Sequence, residues 1–223
     1  MLPHLLSLPW RHLAFAVVLA GDLVVGKALI DSARELYGGA GAQRLIHWQN
    51  LLTYSQNLSE AQKLVEVNDF FNRMRFVRDI DHWGEEDFWA TPVEFLASGA
   101  GDCEDYSIAK YFTLRELGVP DDKLRITYVK ATTLDQAHMV LSYFASPGAE
   151  PLILDNLVSE IRPASNRPDL EPVYNFNGDG LWLSRQRGEG VRVGKAGEIK
   201  TWTELRRRLQ KSNRQGVLSE GNS

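Results

Sequence analysis

The chain is poor in cysteine, with one in 223 residues. A single thiol excludes an intrachain disulfide and any zinc site built from several cysteines. There is no excess of positive charge: Lys+Arg 25 against Asp+Glu 29 leaves a net charge of -4. That balance gives no electrostatic reason to expect nucleic acid or an anionic membrane as partner. Long apolar runs are missing too. The longest candidate, Leu13 to Ala20, is too short to span a bilayer, and Asp22 and Lys27 interrupt any extension. No internal repeat or low-complexity tract occurs. What remains, 43% hydrophobic and 24% charged residues, is the composition of an ordinary globular chain with enough length for one sizeable core.

The apolar run near the start follows Arg11 and His12 and precedes small residues near Ala20 and Gly26. This order fits a secretory signal over residues 1–26, and with it export. A buried first helix of the mature fold is the other reading. The rest divides into a main domain, 27–211, and a flexible tail, 212–223.

Periodicity predicts helices over Ala28–Tyr37, stopped by Gly38-Gly39, and over Gln43–Tyr54. A third is expected over Ser59–Arg78, with Ser59 and Gln62 as a capping box. A loop follows, with a short helix over Pro92–Ala97. Strands are predicted over Leu124–Ala131, Ala137–Phe144, Leu152–Asn156 and Leu181–Ser184. Residues 157–180 read as an ordered, proline-bearing loop, and Thr203–Gln210 as a basic surface helix. A helical half followed by a sheet half is the pattern of an α+β domain. Trp83, Trp182 and Trp202 are either core or docking residues, and Trp89 either a core anchor or part of a pocket.

The segment that carries chemistry is Gly99 to Pro120, GAGDCEDYSIAKYFTLRELGVP. Asp102 is a good N-cap, with Asp105 three residues on, and Gly118 and Pro120 end the helix. Cys103 thus sits in the first turn, where free N–H groups and the helix dipole favour a thiolate. Its neighbours, Asp-Cys-Glu-Asp, are unlike the apolar surroundings of a structural cysteine.

A nucleophilic thiol needs a base, and the base an orienting group. His138 lies in the second predicted strand, and Asp155 and Asn156 end the third. Ser146-Pro147-Gly148 is strong turn chemistry between them. A four-residue loop, Ala145 to Gly148, puts Phe144 across from Ala149 and His138 across from Asp155, on one face. Asn156 then points to the other face, and a one-residue slip exchanges the two. The orienter is therefore Asp155, with Asn156 second.

A cysteine opening a buried helix, followed by His and Asp on consecutive antiparallel strands, resembles the papain/transglutaminase-like cysteine enzymes. The closer likeness is to the bacterial transglutaminase-like cysteine proteinases that act in the periplasm. It is carried by Trp89-Ala-Thr-Pro-Val-Glu-Phe-Leu, Gly101-Asp-Cys-Glu-Asp-Tyr-Ser-Ile-Ala-Lys, Ala137-His-Met-Val and Leu154-Asp-Asn, and runs from about Leu36 to Thr203. The resemblance implies an N-terminal helical lobe packed on an antiparallel sheet, and a Cys103–His138–Asp155 triad. It implies an endopeptidase that cuts the N-terminal part of a large surface adhesin, releasing it and dispersing biofilm. It further implies calcium dependence and sequestration by an inner-membrane receptor for cyclic di-GMP, with no direct binding of the nucleotide by this chain.

Asp102, Glu104 and Asp105 raise a physical difficulty, because bare carboxylates beside Cys103 oppose its ionisation. Capping and the acid preference of a first helical turn explain the residues but leave the repulsion. Ca²⁺ is a hard cation that takes oxygen ligands and reverses the local charge. The expected ligands are Asp102, Glu104 and Asp105, the resemblance supporting the first two most. Two rival functions use the same residues: a protein transglutaminase sharing the acyl-enzyme, and a non-catalytic calcium-binding adaptor.

Overall fold

The computed structural model describes residues 25–184 and 190–215. The expected signal segment lies almost wholly outside the described residues, as does the end of the tail. In chain order the elements are α1 (Lys27–Ser55), α2 (Glu60–Phe71), β1 (Arg75–Phe76), α3 (Asp79–His82), α4 (Pro92–Ser98), β2 (Ala100–Gly101) and α5 (Cys103–Glu116). Then come β3 (Leu124–Ala131), β4 (Gln136–Tyr143), β5 (Leu152–Leu154), β6 (Arg162–Pro163), β7 (Leu170–Phe176), β8 (Leu181–Leu183), β9 (Val191–Gly194) and α6 (Lys200–Gln215). No helix among the described residues is long and apolar enough to cross a membrane.

The helical lobe comes first, as the sequence implies. α1 breaks at Gly38, whose φ of 73° suits glycine and few other residues. The break falls where the sequence divides the two expected helices. α2 starts at the predicted capping box, Ser59 with Gln62, but stops at Phe71, seven residues before the expected end at Arg78. The chain turns there so that Arg75-Phe76 pairs in parallel with Ala100-Gly101. This small pairing brings the start of α3 against the start of α5.

The main sheet has seven strands in the order β6-β5-β4-β3-β7-β8-β9, and its neighbouring strands run antiparallel. β3 has the predicted bounds, and β4 and β8 are each within a residue or so of theirs. The expected loop 157–180 instead contributes β6 and β7, and β7 lies beside β3 near the centre of the sheet. Its register slips between Tyr128 and Val129 of the partner strand. This irregularity admits Pro172, which cannot donate to a regular ladder.

Met139, Leu141 and Tyr143 belong to the large core with α5, while Val129, Val140 and Ile153 form a smaller apolar cluster. Alternation along the strands puts the two sets on opposite faces. Trp48 is fully buried and donates from Nε1 to Thr113 Oγ1 at 3.0 Å, tying α1 to α5. α6 is more than a surface helix. Trp202, Leu205 and Leu209 are buried, and Trp202 stacks on Phe112 with ring centroids 5.5 Å apart. The helix continues to Gln215, past the residue 212 at which the sequence reading begins the tail.

Candidate active site

Cys103 opens α5 and is half-buried. Its thiol donates to Glu104 Oε2 at 2.9 Å. Burial, and then the Glu104 carboxylate, push the thiol pKa well above its ordinary value, with a smaller push from Asp102. The Met139 amide, hydrogen-bonded to the sulfur, pulls the other way. Cys103 therefore abuts the backbone of the residue that follows His138.

His138 and Asp155 are both buried, and His138 Nε2 lies 2.8 Å from Asp155 Oδ1. The contact forms although the strand pairing differs from the expected one. Leu141 pairs with Leu154, Ser142 with Ile153 and Tyr143 with Leu152. The connection is longer than four residues, and the ladder is displaced by two. Asp155, just beyond β5, thus lies diagonally from His138 instead of directly across. A displacement of two keeps every side chain on its face, so Asp155 still meets the ring. Asn156 does not: its Oδ1 is buried without a hydrogen-bond partner among the described residues.

Asp155 is held on both oxygens. Oδ1 also accepts from the Leu157 N–H at 3.0 Å, and Oδ2 accepts from Arg167 Nη2 at 2.8 Å. Burial raises its pKa, but His138, the Leu157 amide and Arg167 outweigh that and bring it down to about 2. An ionised Asp155 can only accept, so Nε2–H of His138 donates to it, which leaves Nδ1 as the acceptor nitrogen of a neutral ring. Among the described residues the Cys103 thiol is hydrogen-bonded to Glu104 and not to that ring. Burial and the acidic surroundings keep the thiol protonated, and a protonated thiol donates to the neighbouring acid oxygen.

Those surroundings form two overlapping groups. Ligand atoms of Asp102, Cys103 and Glu104 lie within 4.8 Å of one another, as do those of Asp79, Asp102 and Asp105. Asp102 is common to both. Asp105 is fully buried and accepts from the Ala90 N–H at 2.7 Å and the Asp102 N–H at 3.3 Å. Asp79 accepts from the Phe88 N–H at 2.6 Å. Burial, then the charge of Asp102, raise Asp79 to about 7. Burial, then a hydrogen bond with Asp102, raise Glu104 to about 8. Asp105 is raised well above its ordinary value by burial, then by Asp102 and Asp79.

Asp79 Oδ1 and Asp102 Oδ1 are buried and lack hydrogen-bond partners among the described residues. Crowded, desolvated oxygen donors of this kind fit a hard divalent cation. Sequence reasoning missed Asp79, because no local spacing links it to α5. Only the β1–β2 pairing brings the two together. Trp89 is a core residue, 5% exposed and stacked on Phe176.

Comparisons with known proteins identify the family. The model of the bacterial transglutaminase-like cysteine proteinase family matches residues 47–169. The chain is similar to LapG of Legionella pneumophila in an EGTA-treated structure, with 43% identity and a TM-score of 0.72, covering 81% of this chain and 97% of that one. The calcium-bound LapG structure from the same organism gives 44% identity and a TM-score of 0.69, covering 81% and 99%. No curated protein matches the chain.

Proposed function

We propose a mechanism and a substrate for this chain on the premise that it belongs to the bacterial transglutaminase-like cysteine proteinases and is a cysteine protease. The nucleophile is Cys103, the base His138 and the orienting group Asp155. The observation that carries this reading is the buried His138–Asp155 hydrogen bond at 2.8 Å, formed one residue from the amide that contacts the Cys103 sulfur.

His138 Nδ1 accepts the thiol proton, and Asp155 keeps the other ring proton on Nε2 and stabilises the imidazolium. The thiolate attacks the scissile carbonyl carbon. The backbone N–H of Cys103, at the first turn of α5, stabilises the oxyanion. The imidazolium then protonates the departing amine, leaving a thioester. Water, deprotonated by His138, attacks the thioester, and the acid product leaves as the thiolate returns. Hydrolysis is favoured over transfer to an amine by the family alone, since both reactions share the thioester.

Calcium fits the acidic groups. Asp102 and Glu104, with Asp105 and Asp79 behind them, would hold the ion, which supplies positive charge where the thiolate forms. LapG, at 44% identity, has a calcium-bound structure. The carboxylates of this chain meanwhile shape the start of α5. Asp105 ties the Ala90 and Asp102 amides together, and Glu104 takes the thiol hydrogen bond.

The substrate is the N-terminal part of a large cell-surface adhesin, cut in the periplasm so that the adhesin is released and biofilm disperses. An inner-membrane receptor for cyclic di-GMP withholds the enzyme by sequestration. These assignments rest on the family resemblance. The test is to mix the full chain with the adhesin's N-terminal fragment, with and without Ca²⁺, and with a labelled primary amine. A calcium-dependent new N-terminus, lost in Cys103→Ala, is expected. Amine incorporation instead would mean a transferase. Unchanged biological activity of Cys103→Ala would mean an adaptor.

A further inference from the structure

We propose that Arg167 is a positioning residue for the His138–Asp155 pair. This deepens the triad reading above and rests on it. Arg167 follows β6 and precedes β7, in a segment with no catalytic motif. Its guanidinium is nevertheless buried, at 3% side-chain exposure. Nη2 donates to Asp155 Oδ2 at 2.8 Å and to Asp169 Oδ2 at 2.7 Å, and Nε donates to Asp169 Oδ1 at 3.0 Å. Asp169 is therefore gripped from two nitrogens and fixes the plane of the guanidinium. The plane in turn fixes Asp155.

The consequence is geometric. Asp155 lies just past the end of β5, without a strand ladder of its own to hold it. A carboxylate there turns about its side-chain bonds unless both oxygens are engaged. With Oδ2 committed to Arg167 and the Leu157 N–H on Oδ1, Oδ1 is left aimed at His138 Nε2. Charge-assisted hydrogen bonds of this forked kind fix direction as well as distance. A lysine offers one point of charge and cannot serve both carboxylates in one plane. Arg167 also lines a cavity of about 610 Å³ behind the sheet, together with Val129, Val140, Ile153 and Leu170. A small cation can therefore approach the position if the side chain is removed.

The experiment follows the His138 Nε2–H proton by NMR in the full chain, with thermal unfolding recorded for each variant. Arg167→Ala is expected to speed exchange of that proton about tenfold or more, as befits loss of a charge-assisted bond. Arg167→Lys should restore exchange in part, and Asp169→Asn should have a smaller effect. Added methylguanidinium should slow exchange again in Arg167→Ala. Folded Arg167→Ala with wild-type exchange overturns the proposal. So does failure of methylguanidinium to slow exchange in that folded variant. Should Arg167→Ala not fold, wild-type exchange in both folded Arg167→Lys and Asp169→Asn overturns it equally. Asp155→Asn separates the two readings: wild-type exchange in that variant means the His138–Asp155 pairing itself is wrong, whatever Arg167 does.

Discussion

Cys103 and Glu104 are hydrogen-bonded neighbours at the start of α5, with Sγ 2.9 Å from Oε2. Burial holds the thiol in its neutral form, and so does Glu104 once it ionises above about pH 8, because two negative charges would then lie side by side. On the proposed mechanism an ionised Glu104 opposes the Cys103 thiolate without a cation and would favour it with one bound. Above about pH 8, where Glu104 is ionised, Glu104→Gln is expected to speed alkylation of Cys103 by iodoacetamide about tenfold in chelator, the scale on which one nearby charge shifts a pKa by a unit. In calcium the order should reverse, since the variant would lose a proposed ligand. The same ranking in both buffers would contradict this account.

Asp155 makes stability depend on acid. Its pKa in the folded chain, about 2, lies below the ordinary 3.8. A depressed carboxylate stabilises the fold fully above its unfolded pKa, and that stabilisation fades as pH falls through the folded one. The difference corresponds to about 2 kcal/mol. Wild type should therefore exceed Asp155→Asn in urea-unfolding free energy at pH 6 by roughly that amount. The gap should close between about pH 4 and about pH 2. A gap that does not change with pH would show that Asp155 is not ionised where it is buried.

Gly101 has no room for a side chain. A Cβ there would overlap Asp105 Oδ2 and lie 2.8 Å from Phe95 Cδ2. Gly101→Ala must therefore displace the carboxylate that joins the Ala90 and Asp102 amides. A destabilisation of about 1–3 kcal/mol is expected, with weaker calcium binding by calorimetry. Wild-type affinity in the folded variant would remove Asp105 from the proposed calcium site.

The chemistry-bearing residues were more legible than the sheet around them. Asp102 to Gly118 announces a helix by its cap, its apolar face and its stop, so the place of Cys103 follows from local rules. The sequence pairs His138 with Asp155 through a four-residue loop, and the structure lengthens that connection. The contact forms all the same, because the ladder moves by two residues and a two-residue shift returns a side chain to the same face. β7 was not legible: Pro172 and the bulge beside Val129 disguise a strand that tertiary pairing stabilises. Asp79 and Arg167 were invisible for another reason. Each meets the site only through long-range packing, Asp79 by the β1–β2 contact and Arg167 by the return from β6.

The central claim is that His138 takes the proton of Cys103. The most direct measurement is the rate of Cys103 alkylation at neutral pH in saturating calcium, for wild type and His138→Ala. The account predicts that wild type reacts about tenfold faster or more, since the proposed base, one residue from the amide that contacts the sulfur, would maintain the thiolate. Equal rates in the two folded proteins would contradict it.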